Sequence, residues 1–280
     1  MKKIVISFML FVTIVPAMAQ EDNREAKDMS RTEICKKNYT ALFGGEALNG
    51  QGSDPEFQAI LQKFIFGEVF TIGNLDLKTR ELITCTTLSV MQTLPQLKVH
   101  AAAALNVGVT PIELREAVYQ CAPFIGFPKT LNAIGVINEV FNERGIALPL
   151  EAQGTVTEET RAEKGRAVQQ PLYGDEVSRK LTDLPSGMGE DVARFLTEYC
   201  FGDIYTRNGL ELKTRELLIY CILTTLEAES QLQSHTSANI QLGNSPEILT
   251  AAVIQCLPYI GFPPALKALN IIQSVKTNNL

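Results

Sequence analysis

The sequence predicts an all-α protein built from two tandem copies of one helical bundle, and three observations carry that prediction. Strand-type alternation is absent, and apolar residues recur at helical spacing. Residues 64–140 align with 199–275 at a constant offset of 135, without a gap and with 31 identities in 77 positions. Prolines and capping residues stand where helices should start, and glycines where they should stop. A period this long, occurring twice, means duplicated domains rather than a solenoid.

In chain order, the first segment is not fold. Lys2-Lys3 is a charged n-region, Ile4 to Val15 is an apolar run, and Ala17-Met18-Ala19 is a cleavage site. Residues 1–19 therefore read as a secretory signal peptide, too short to span a bilayer as a helix. The expected mature start is Gln20, and the expected destination is the periplasm. No cysteine follows the cleavage site, which argues against a lipid anchor. No later stretch reads as a membrane helix.

The first domain is expected over 28–147 and the second over 157–278, joined where Gly145, Pro149 and Gly154-Thr155 interrupt the pattern. In the first copy, Pro55 after Ser53-Asp54 opens a helix to about Phe66. A second runs from Leu77 to about Gln92. Pro95 lies in the first turn of a third, which stops at Gly108. Thr110-Pro111-Ile112-Glu113 is a capping box with proline at N1, so a fourth starts there. Gly126 ends it and Pro128 opens a fifth. A lead-in also matches at an offset of 130: Leu42, Gly44 and Glu46 with Leu172, Gly174 and Glu176. The second copy then carries five extra residues around Pro185-Ser186-Gly187.

The formal charge is −6, and −8 once Lys2 and Lys3 are removed. That argues against nucleic acid and against a basic surface for anionic lipid. The chain holds two histidines, His100 and His235, at equivalent positions of the repeat. Each follows a glutamate by 19 residues, in Leu77-Lys78-Thr79-Arg80-Glu81-Leu82 and Leu212-Lys213-Thr214-Arg215-Glu216-Leu217. Two helices joined by a short turn near Thr93-Leu94 are antiparallel neighbours, so Glu81 can approach His100. Glu216 can approach His235 in the same way.

A Glu–His pair is proton-transfer chemistry. The carboxylate fixes the imidazole tautomer, and the free ring nitrogen takes or gives a proton. Gln96 and Gln231, one helical turn before each histidine, could hold a substrate carbonyl or carboxylate. Arg80 and Arg215 could pair with an anionic substrate, although a structural or surface pair is the commoner role. Gln120 and Gln255 are expected to cap or bridge backbone. The ordinary reading of a lone helical histidine is a satisfied core group. Two histidines, both in register with a carboxylate, favour function.

Together these blocks resemble the carboxymuconolactone decarboxylase family, within the alkylhydroperoxidase D-like superfamily, in two copies. The resemblance rests on Thr79-Arg80-Glu81-Leu82, on His100 through the alanines to Gly108-Val109-Thr110, and on Glu116-Ala117-Val118 through Gly126-Phe127-Pro128 to Leu131-Asn132-Ala133. It implies a tandem helical bundle of the alkylhydroperoxidase D-like type. It also implies a cofactor-free lyase acting on a small carboxylated lactone or related anion. His100 and His235 would shuttle the proton, with Glu81 and Glu216 in support. The peroxidase branch is similar but carries Cys-x-x-Cys before its histidine. Those cysteines would fall at 93 and 96 and at 228 and 231, which here are Thr93, Gln96, Ala228 and Gln231. A thiol peroxidase needs an accessible thiolate and a resolving partner, so that activity is the runner-up. A non-catalytic ligand-binding or scaffold role is the alternative of a different class.

One departure lies at Asn132, whose counterpart is Lys267. Six cysteines, none in a C-x-x-C, permit disulfides in an oxidising compartment but do not require them. By resemblance the protein is a homo-oligomer, and a tandem chain would close a six-domain ring as a trimer. No metal is expected.

Overall fold

In the computed structural model, residues 29–181 and 183–278 are described. The signal-peptide expectation lies outside them. Every regular element among the described residues is helical. In the first copy these are α1 (Arg31–Phe43), α2 (Pro55–Gly67), a 3-10 turn at Val69–Thr71, α3 (Leu77–Met91), α4 (Leu94–Asn106), α5 (Pro111–Tyr119), α6 (Ala122–Ile125) and α7 (Phe127–Glu143). In the second copy they are α8 (Arg161–Tyr173), α9 (Glu176–Lys180), α10 (Met188–Phe195), a π-helical stretch at Leu196–Tyr205, α11 (Leu212–Thr225), α12 (Glu229–Gln241), α13 (Pro246–Ile260) and α14 (Phe262–Asn278). None of these is long and apolar enough to cross a membrane.

Local chemistry sets the helix ends. Ser30 and Thr110 form full capping boxes with Glu33 and Glu113, and Asp76 caps α3 through the Thr79 amide. One boundary differs from expectation. The expected fourth helix is broken in the first copy at Gln120-Cys121, with α6 as a separate turn, yet runs unbroken as α13 in the second. The expected third helix ends at Asn106, with Gly108 at φ 91° as its glycine stop. Helix α1, which the sequence pattern did not mark, packs on α2 and α4.

Its approach to α2 needs a missing side chain. A Cβ on Gly67 would collide with the carbonyl oxygen of Arg31, and one on Gly202 would stand 2.5 Å from that of Arg161. The same close crossing therefore recurs in both copies.

The copies do not stand apart. Helix α3 packs against α11 and α13 as well as against its own α4, α5 and α7. One core runs through both, from Leu82, Ile83 and Leu88 to Leu218, Ile219 and Ile222. Leu97, Ala101 and Ala104 are in it and fully buried. A smaller cluster of Cys35, Leu42, Ile65, Phe66 and Phe70 closes α1 and α2 over α4. All six cysteines are buried free thiols.

Candidate functional site

The α3–α4 hairpin brings the expected pair together. His100 Nδ1 lies 2.8 Å from Glu81 Oε2, with the carboxylate fully buried and the histidine 8% exposed. That bond leaves Nε2 as the ring nitrogen free for chemistry. Phe43 and Tyr259 stand edge-on to the imidazole, each with ring centroids 5.7 Å away. Tyr259 belongs to α13, so the second copy walls the first copy's site. Glu81 Oε1 is buried and has no hydrogen-bond partner.

His100 opens onto a cleft of about 570 Å³, within the range of small-molecule sites. Gln96, Thr93 and Val99 line it from α4 and its start, and Phe43, Phe66 and Tyr259 line it as aromatic walls. None of the sixteen described residues that line it is a lysine, arginine, aspartate or glutamate. A groove of about 640 Å³ between α8 and α10 is larger, but no histidine lines it.

In the second copy, His235 Nδ1 lies 2.6 Å from Glu216 Oε1, and the histidine is 9% exposed. The backbone plan is the same, but the carboxylate's company differs. Tyr173 donates its hydroxyl to Glu216 Oε1 at 2.6 Å and stands 2.9 Å from His235 Nδ1. Tyr205 donates to Glu216 Oε2 at 3.2 Å. Burial, then the Glu216 charge, pushes both phenols well above their ordinary range. The repeat places Phe43 and Phe70 where these tyrosines stand. Phe124 of the first copy takes the place of Tyr259, 6.4 Å from the His235 ring. The aromatic partners were missed from sequence. Their only signal was alignment across the repeat, at an offset of 130 for residues 43 and 173 and beside the shared Ile-Gly-Phe-Pro block for 124 and 259.

Gln96 is in the cleft, whereas Gln231 is exposed and accepts from the Ser230 hydroxyl. Neither arginine lines the His100 cleft, and both make structural pairs, the commoner of the two expected roles, rather than the substrate pairing. Arg80 is buried, and its guanidinium donates to the carbonyl oxygens of Leu75, Val69 and Ile72 and to Gln255 Oε1 at 2.9 Å. Burial pulls it down to about 10, against the opposing Asp76 charge. Arg215 donates to Gln120 Oε1 at 3.1 Å, to Glu116 and to the carbonyls of Arg207 and Asn208. Gln120 and Gln255 thus hold the other copy's arginine rather than backbone. Glu116, fully buried, also takes a two-pronged contact from Arg207 at 2.8 and 3.0 Å. Its counterpart in the second copy is Ala251, so this ion cluster is one-sided.

The departure at Asn132 is resolved by its neighbour. Asn132 donates to Gln92 Oε1 at 3.0 Å, and Lys267 pairs with Glu227 at 2.8 Å. Residues 92 and 227 are themselves equivalent, so an amide pair has been exchanged for an ion pair. Among the described residues no group of three acidic, histidine or cysteine side chains is placed to hold a metal.

The arrangement has known relatives. Over 117 residues the chain is 35% identical to the 4-carboxymuconolactone decarboxylase of Acinetobacter baylyi, covering 42% of this chain and 85% of that protein. Over 86 residues it is 31% identical to a nitrosuccinic acid decarboxylase of Metarhizium robertsii, covering 31% of this chain and 60% of that one. A solved structure from Burkholderia xenovorans, described as a gamma-carboxymuconolactone decarboxylase subunit, superposes with a TM-score of 0.52. It covers 88% of this chain and 98% of that one at 19% identity, which shows the fold. The sequence pattern of the carboxymuconolactone decarboxylase family matches twice, at residues 55–139 and 190–274. With a Glu–His pair in each of two fused helical bundles, the chain belongs to the carboxymuconolactone decarboxylase family.

Proposed function

We propose that this protein is a proton-transfer enzyme of the lyase or isomerase kind, needing no cofactor and acting on a small lactone or related carbonyl compound. The working site is the His100 cleft. The observation that supports it is the buried 2.8 Å Glu81–His100 bond beside a cleft large enough for such a molecule. Glu81 holds Nδ1–H, so Nε2 carries the lone pair and acts as the base. When Nε2 takes a proton, the adjacent carboxylate stabilises the imidazolium. The same nitrogen then returns the proton to a carbon, whether after loss of carbon dioxide or after a shift of the double bond. The decarboxylase relatives are the analogy for the first outcome, and the uncharged lining of the cleft favours the second. Export to the periplasm and closure of a trimeric ring belong to this proposal as expectations of their own.

Peroxidase chemistry is disfavoured because the cysteine positions before each histidine are occupied by other residues and every thiol is buried. Burial pushes the Cys121 and Cys200 thiols up to about 12, away from the thiolate a peroxidase needs. In the second copy the carboxylate already shares its charge with two phenols, so His235 serves the fold more than the chemistry.

The test is turnover on lactones with and without a carboxylate, in wild type and in single histidine variants. His100→Ala should lose on the order of 10²–10⁴ in rate, as removal of a general base does. His235→Ala should stay within a few fold. Equal losses in both variants would show that both copies work. Unchanged turnover in His100→Ala would remove the proposal. A hydroperoxide-plus-dithiol assay run alongside should be silent.

A further inference from the structure

We infer that the His100 cleft is built for an uncharged, largely apolar substrate, a neutral lactone or other cyclic carbonyl compound, and not for a polycarboxylate. The inference rests on the proton-transfer reading and names the substrate of that site. A carboxylate taken out of water needs a cation or several donors, and a guanidinium clamp is the usual solution. Among the described residues no cationic side chain lines the cleft. Arg80, the nearest candidate by sequence, is bound to carbonyl oxygens and Gln255. Lys98, on the helix that carries His100, pairs with Glu139 and Glu143. Behind the imidazole stands the Glu81 carboxyl group, fully buried with Oε1 unpartnered. A substrate carboxylate would meet no cation among the described residues except an imidazolium formed during reaction.

What the cleft does offer suits a carbonyl. Gln96 carries a neutral amide into the cleft, and Thr93 lines it beside Gln96. Both lie at the start of α4, whose first amides have no intrahelical acceptor and are not capped by the Thr93 side chain. Their partial positive charge favours an oxygen on which charge develops. Phe43, Phe66 and Tyr259 cover the faces of a flat ring.

The reaction is then a proton shift. Nε2 removes a proton from the carbon next to the carbonyl, the C–H electron pair becomes the enolate double bond, and the carbonyl π pair moves onto oxygen. Return of the proton from Nε2 to the far end of the conjugated enolate restores the carbonyl. No electron is gained or lost, and no carbon dioxide is released.

The test uses a matched pair, an unsaturated five-membered lactone and the same lactone bearing a carboxylate, with the full mature chain in deuterium oxide. Saturation-transfer NMR reads binding, and loss of the proton signal reads exchange. The neutral lactone should bind at least about tenfold more tightly than its carboxylate, the cost of an unpaired anion setting the difference. It should also exchange, and His100→Ala should abolish exchange while keeping affinity. Val99→Lys, on the exposed rim of the cleft, should move the preference toward the carboxylate by about tenfold. Tighter binding of the carboxylate by wild type, or carbon dioxide release from it, overturns the inference, as does binding of neither. Neutral binding without exchange leaves the substrate class standing and removes the proton-transfer reading.

Discussion

Replacing Tyr173 by phenylalanine converts the second pair's surroundings toward those of the first at the cost of one oxygen atom. That hydroxyl donates at 2.6 Å to Glu216, a carboxylate with no exposure. A hydrogen bond to a buried charged group contributes about 1.5–3 kcal/mol. Glu216 would keep His235 and Tyr205, so the loss should fall near the middle of that range, at about 2 kcal/mol. For a chain of this size it corresponds to a fall in Tm of about 4–8 °C. The assay is urea unfolding, read as a shift in midpoint with the slope m unchanged. The reciprocal change, Phe43→Tyr, offers a hydroxyl to Glu81 Oε1, which has no partner. It should stabilise the fold and slow proton transfer, provided the ring turns from its 80° tilt against His100 toward the 50° seen between Tyr173 and His235. A Tyr173→Phe protein within about 0.5 kcal/mol of wild type, the ordinary scatter of a neutral surface substitution, would refute the reasoning that Tyr173 stabilises the Glu216 carboxylate.

Other perturbations follow from the same geometry. Glu116→Ala strands Arg207 and Arg215 at the junction of the copies, and should cost about 3–5 kcal/mol in unfolding experiments, as breaking a buried pair does. Gln92→Glu with Asn132→Lys transplants the second copy's ion pair, and the double variant should lie within about 1 kcal/mol of wild type, because exposed pairs are worth little. Native protein at pH 8 should leave all six thiols unreactive to a chromogenic disulfide reagent until denaturant is added. Stability should also fall in alkali. Thiols and phenols raised in the fold stay protonated there after the unfolded chain has released its protons. The unfolded state therefore binds fewer protons, and stability drops by about 1.4 kcal/mol per pH unit for each group. For Cys121 and Cys200 that window opens near the ordinary thiol value and closes near 12. A flat stability profile there would contradict their burial.

The helices were legible because their signals are local. Thr110 and Glu113 meet within one turn, prolines sit at N1, and the apolar positions recur at helical spacing whatever the surroundings. The Glu81–His100 pair was legible for the same reason, since a short turn between two helices brings them together without help from the rest of the chain. Duplication added register, marking which positions in the second copy to compare. The π-helical stretch and the break at Gln120-Cys121 were not legible, because positions that align without a gap give different outcomes there. Pro123 and Pro258 are equivalent, yet one copy breaks and the other does not.

Sequence by itself determined the all-α class, the doubled plan and the carboxylate–imidazole pairs, since each depends on residues close along the chain or on an alignment. Only the tertiary structure decided what surrounds those pairs. Residues 175 or more positions apart meet there, Arg80 with Gln255 and Thr84 with Tyr259, and no spacing rule reaches that far. The arginines that looked like substrate ligands turned out to join the copies. Two phenols decided that equal motifs have unequal surroundings. The reason is physical: a motif fixes which atoms are present, but desolvation and the partners brought by packing fix what charge those atoms can hold.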